Sequence, residues 1–156
     1  MNRSIADWNQ LPSGAIGTDH GNTYKFKTMM IVFFYIWGVI YIDWVPEGQT
    51  LNQVYYKNVL TTLREHVRRR RPDMWKNASW ILHYNNAPAH NALSVKRYLA
   101  KNNIPVMEHP PYSPDLAPCD FFLIPKIKSA LKGTRFESAD AVKAKSDATL
   151  EQLNTR

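Results

Sequence analysis

The chain has a single cysteine, Cys119, in 156 residues. An internal disulfide is therefore excluded, and the composition suits a reducing compartment. Long hydrophobic runs are also missing. The longest, from Met29 to Ile42, has 14 residues and is broken by Gly38. A membrane-spanning helix needs roughly 20 apolar residues, so two core strands fit this run better and no membrane partner is expected. The first residues, Met-Asn-Arg-Ser-Ile-Ala-Asp-Trp, lack the apolar centre of a secretory leader, and none is expected. Acidic residues are scarce: 13 Asp and Glu against 20 Lys and Arg leave a net charge of +7 and a pI near 9.6. That balance favours a polyanionic partner. The chain does not lack a core. Hydrophobic residues make up 44% of it and it has five Trp, enough for one globular domain.

Residues 1–24 are rich in Gly, Ser, Asn and Asp and show no period, which predicts an irregular segment followed by one domain over 25–156. Residues 25–35 and 39–45 are β-branched and aromatic, and predict a hairpin turning near Trp37-Gly38. A helix is expected from Leu51 to Arg70, started by a Thr50/Gln53 capping box and stopped by Pro72. Leu51, Tyr55, Val59, Leu63 and Val67 recur every four residues on one face, with Tyr56 and Leu60 beside them. Residues 80–84 predict a short buried strand, and Asn91 is expected to cap a helix over 92–101. Pro105-Val-Met predicts another strand. A helix follows over 116–131 despite Pro125, stopped by Gly133, and Ser138 caps a last helix. The order is β-β-α-β-α-β-α-α.

Two segments carry the chemical signal: His83-Tyr-Asn-Asn-Ala-Pro-Ala-His90 and Pro110-Pro-Tyr-Ser-Pro-Asp-Leu-Ala-Pro-Cys-Asp120. The first closes an apolar strand and the second opens an apolar helix. Between Asn85 and Asp120 lie 34 residues. In both motifs and in their spacing the chain resembles the catalytic domain of mariner transposases, of the Tc/mariner superfamily, over about residues 25–153. The resemblance implies a partial RNase H-like α/β fold. In that fold a central strand precedes the hairpin and carries the first catalytic Asp within a Gly-Asp-Glu-x-Trp-like sequence. No such sequence occurs here, so the central strand and the first acid are expected to be missing. The nearest upstream acid considered is Asp19, in a polar loop. Without that strand its neighbours would expose unpaired backbone, so either residues 1–24 supply a makeshift strand, or the two halves close directly, or the protein is marginal; low stability and association are expected.

The resemblance also implies a chemistry. Strand cleavage and transfer by this family use Mg²⁺ or Mn²⁺ held by three carboxylates, because paired hard ions need anionic oxygens. Asn85 stands where the family has its second Asp, leaving Asp120 as the third acid and the remaining metal ligand. One carboxylate is too few for a metal pair, so the expectation is a transposase-derived domain without catalysis and without bound metal. A rival reading rebuilds a nuclease site from Asp19, Asp120 and Glu108. His83, His90 and His109 match no zinc-finger spacing.

Arg64, Arg68, Arg69, Arg70 and Arg71 form the densest basic cluster, and Lys96, Arg97 and Lys101 a second basic face. Both are candidate phosphate contacts, or solvated cations suited to a helix C-terminus. Trp37, Trp44, Trp75 and Trp80 read as core. The family places paired helix-turn-helix modules ahead of the catalytic domain, and the stretch before Lys25 is expected to have no room for them. The expected partner is therefore DNA, bound weakly and without sequence preference, in the nucleus. Homodimerisation, or association with an intact transposase, is the expectation from a different class of function.

Overall fold

The computed structural model describes residues 3–8, by their backbone, and 28–154. The elements are β1 (Arg3–Trp8), β2 (Met29–Tyr35), β3 (Gly38–Val45), α1 (Gln53–Arg70), α2 (Pro72–Lys76), β4 (Trp80–His83), α3 (Pro88–Asn91), α4 (Leu93–Lys101), β5 (Val106–Met107), α5 (Ile124–Leu131) and α6 (Ala139–Glu151). Five strands form one mixed sheet in the order β3-β2-β1-β4-β5. This is an RNase H-like α/β fold, as expected from the sequence.

The expectation of a missing central strand is overturned. β1 occupies the sheet centre, antiparallel to β2 through Ala6↔Phe34 and parallel to β4 through Ala6↔His83. The stretch 1–24 thus contains a strand. Arg3-Ser-Ile-Ala-Asp-Trp8 has no apolar run and little β-branching, so local pattern does not announce it. Its strand state comes from pairing on both sides, where each neighbour offers a full row of backbone donors and acceptors. With that row filled, β2 and β4 no longer leave the unpaired backbone from which low stability was expected.

The hairpin run is apolar because β2 is covered on both faces. Ile31, Phe33 and Tyr35 pack toward α1 and α4, with Tyr56, Leu60, Leu63, Leu82 and Val95. Met30, Val32 and Phe34 pack on the other side, with Leu123, Ile127, Val142 and Leu150 of the later helices. Period-two alternation in a strand buried on both faces leaves no polar position. Each such side chain contributes roughly 1.5–3 kcal/mol on full burial.

Helix ends show where local reading succeeded and where it did not. Ser138 Oγ accepts the Ala141 N–H (3.1 Å), as expected for the cap of α6. At α1 the cap is Asn52, whose Oδ1 accepts the N–H groups of Val54 and Tyr55 at 3.0 and 2.9 Å, so the Thr50/Gln53 box does not form. Asn91 ends α3 instead of capping α4, whose N-cap is Ala92. The expected 116–131 helix divides into a short 3-10 turn at Pro114–Leu116, a π-helical turn at Cys119–Leu123, and α5 with Pro125 in its first turn. Proline there removes an N–H that a helix start does not use.

The β2–β3 turn is held by the end of the chain. Asn154 Oδ1 accepts the Val39 N–H (2.6 Å), and a Cβ on Gly38 would collide with that Asn154 side chain. Gly38 also has φ +122°. Gly38→Ala should therefore lower stability by about 1–3 kcal/mol through backbone strain and the lost contact. Asn154→Ala should cost about 1 kcal/mol. Urea unfolding of both variants checks this, and a Gly38→Ala protein as stable as wild type would contradict the close approach.

Candidate functional site

The two motif segments meet. β4 ends at His83, Tyr84 is buried, and Asn85 follows, half-buried. Asn85 Oδ1 accepts the Ala87 N–H at 3.1 Å, closing an Asx turn that sends Pro88 into the first turn of α3. His90 is fully buried beneath this turn. Its ring stacks on Tyr56 at 4.0 Å and meets the edge of Tyr84 at 5.4 Å. Burial pushes its pKa down to about 4, opposed by a hydrogen bond with the Asn85 backbone, so His90 is a neutral post supporting the turn.

From the other segment, His109 Nδ1 lies 3.1 Å from His83 Nε2, and the His109 carbonyl accepts Asn86 Nδ2–H at 2.9 Å. Burial, then the nearby His109, holds His83 below the ordinary histidine range. The chain then passes the exposed Tyr112 and Leu116 to Asp120, half-buried in the first turn of the π-helix. There the Asp120 N–H donates to the Ala117 carbonyl at 2.8 Å. Exposed Phe121 and Phe122 follow, and Phe122 stacks on Phe34.

A residue that sequence reasoning passed over now enters. Asp7 is paired with Phe33 near the end of β1, one step beyond the Ala6↔His83 pair. It therefore lies level with Tyr84, one residue short of Asn85, and β1 packs against the Cys119–Leu123 turn that carries Asp120. The expectation that no acid stands on the central strand is corrected: Asp7 holds a register position suited to it. The available signal was the Asp-Trp pair in the short stretch Ser4-Ile-Ala-Asp-Trp8. Asp19 lies outside the described residues. Glu108 is exposed just beyond β5, and among the described residues no three His, Cys, Asp or Glu side chains converge as a metal-binding group. Asp115 is an exposed acid in the 3-10 turn.

The arginine cluster divides by task. Arg64 lies over the Trp75 ring (5.4 Å), and Arg71 over Tyr35 (5.0 Å). Arg70 Nη1 donates to the Ile40 carbonyl at 3.0 Å, fastening α1 to β3, and Arg68 pairs with Glu65 at 2.6 Å. Arg69 is exposed and makes no side-chain hydrogen bond or ion pair within the described residues. The cluster lies where α1 ends and β4 is about to begin, so β4 runs from that end of the sheet toward Asn85. Lys96, Arg97 and Lys101 are exposed along α4. Trp44 and Trp75 are half-buried and Trp80 is buried, as expected, whereas Trp37 is 50% exposed beside Ile36 at the hairpin tip.

His90 fixes one pH response. Its folded pKa lies below the ordinary 6.5, so the unfolded chain binds the extra proton as pH falls from 6.5 toward 4. The stability it contributes is present above 6.5 and lost progressively down to about pH 4. This group alone should lower unfolding free energy by roughly 3 kcal/mol between pH 7 and pH 4. Urea unfolding at both pH values should show a smaller fall for His90→Phe. Equal falls would contradict a buried neutral ring.

Comparison with known proteins agrees with this geometry. A family model described as a transposase, partial DDE domain, matches residues 8–77. The Mariner Mos1 transposase of Drosophila mauritiana is 36% identical over 130 residues, covering 83% of this chain and 38% of that protein. The human histone-lysine N-methyltransferase SETMAR is 26% identical over 112 residues, 72% of this chain and 16% of that protein. The chain thus spans well under half the length of either. The crystal structure of the Mos1 catalytic domain superposes with a TM-score of 0.82 at 31% identity, covering 96% of this chain and 70% of that one. Other Mos1 structures that this chain resembles contain Mn or Mg, or are paired-end complexes, one with the left transposon end. The chain belongs to the mariner transposases and corresponds to their catalytic domain.

Proposed function

We propose that this transposase-derived domain no longer cuts DNA and retains a weak, sequence-independent affinity for it, exercised in the nucleus. Asn85 is the observation that carries the reading. Its amide oxygen is neutral and already accepts the Ala87 N–H, and its NH₂ group repels a cation. The Mg²⁺ or Mn²⁺ pair that the family resemblance implies needs anionic oxygens on both sides, and a neutral Asn85 opposite Asp120 does not fit it. No chemical step is therefore assigned to a metal here, and neither Mg²⁺ nor Mn²⁺ is expected to bind at this site. An Asp at position 85 could accept the same Ala87 N–H, so Asn85→Asp should fold. Purified wild-type protein should leave supercoiled plasmid intact with Mg²⁺ or Mn²⁺. Nicking by wild type that Asp120→Ala abolishes would overturn the reading and favour a surviving nuclease.

Net charge and the α4 cations support DNA contact. Lys96, Arg97, Lys101 and Arg69 are free to meet phosphate, whereas Arg64, Arg70 and Arg71 are occupied in packing. Removing all three α4 cations should weaken binding to any duplex equally and reduce the logarithmic salt slope by about 0.9 per lost contact. Anisotropy titrations over a range of salt concentrations measure this, and an unchanged slope would remove α4 from the interface.

A second reading is favoured by the exposed Ile36 and Trp37 at the hairpin tip. On it, the domain pairs with itself or with an intact transposase and inhibits the latter. Co-purification with a full-length relative supports it, and Trp37→Ser should weaken that association. No association at micromolar concentrations would dismiss it.

A further inference from the structure

Two imidazoles join the segment after β4 to the segment after β5. His83 Nε2 and His109 Nδ1 lie 3.1 Å apart, with the ring planes tilted by 38°. His83 is the last residue of β4, is 8% exposed, and is level with Met107 of β5. His109 follows two residues later, is half-buried, and is tied through its carbonyl to Asn86. Both rings therefore sit on backbone that is already held.

In a neutral pair one ring N–H donates to the lone pair of the other. The same two nitrogens are also spaced for one ion. Bonds of about 2.0–2.1 Å at a tetrahedral angle place two ligand nitrogens ~3.4 Å apart. The nitrogens need separate by only a few tenths of an ångström, and each ring must also turn so that its lone pair meets the ion in place of the other nitrogen. We propose that His83 and His109 form a two-histidine chelate for a borderline-soft divalent ion, Zn²⁺, Ni²⁺ or Cu²⁺, with water filling the remaining positions.

Imidazole nitrogen favours these ions, whereas Mg²⁺ and Mn²⁺ favour oxygen. His90 does not join, since its ring is packed against Tyr56 and Tyr84. No third ligand of the His, Cys, Asp or Glu type converges among the described residues. The affinity is therefore that of a chelate and falls well short of a four-ligand structural site. On binding, the donating ring moves its proton to its outer nitrogen, and a neutral pair releases no net proton. An ion held here clamps the end of β4 to the segment leading to Asp120, so the flanks of Asn85 and Asp120 move as one body. The site uses neither Asn85 nor Asp120 and is independent of the proposed loss of catalysis.

Calorimetric titration of untagged protein with ZnCl₂ and NiCl₂ tests this, with MgCl₂ as the control. One ion per chain is expected, with affinity lowered roughly tenfold or more in His109→Gln and in His83→Gln. The wild-type Tm should rise on adding Zn²⁺, and that rise should vanish in His109→Gln, which keeps the backbone carbonyl that Asn86 holds. No uptake below about 1 mM ion, or uptake unchanged in His109→Gln, would overturn the proposal.

Discussion

The parallel pairing of β1 with β4 is the constraint on which this structure depends. It fills the sheet centre, so that β2 and β4 each gain a neighbour in place of an open edge. Its register, Ala6 opposite His83, places Asp7 and Asn85 at one end of the sheet. The helical turn bearing Asp120 then packs against β1. Six residues without an apolar run thus decide both whether the sheet closes and whether the site assembles.

The end of the sheet is bound together by small polar contacts rather than by charge pairs. Asn85 closes its own turn, His90 supports that turn from below as a neutral ring, and the His83–His109 and Asn86–His109 contacts draw the second motif onto the first. The 34-residue spacing between Asn85 and Asp120 has its physical meaning here: that length holds α3, α4 and β5 and returns the chain to the starting strand. An Asx turn works equally well with Asn or Asp, so exchanging one for the other leaves architecture intact while removing a negative charge. On the proposed reading, such an exchange removes the chemistry and keeps the fold.

The apolar face of α1 and the cap of α6 were legible in the sequence because each is a local pattern with a fixed period or spacing, whereas the RNase H-like fold class followed from the resemblance to mariner transposases. The buried set Tyr56, Val59, Leu60, Leu63 and Val67 follows that face. Tyr55 is half-buried against that core, with its hydroxyl donating to Asp43 at 2.5 Å. β1 was not legible, because its strand state depends on neighbours distant in sequence. Asp7 was missed with it. The arginine run was legible as charge but not as structure. Whether a guanidinium lies over Trp75, over Tyr35 or against the Ile40 carbonyl depends on what the fold brings beside it.

The central claim of the proposed function is that a neutral amide at position 85 leaves too few anionic oxygens for a metal pair. Manganese titration of the wild-type chain and of Asn85→Asp, followed by calorimetry, tests it most directly. The account predicts no stoichiometric uptake in the micromolar range by wild type and clear uptake by Asn85→Asp. Tight, stoichiometric manganese binding by the wild-type chain would contradict it.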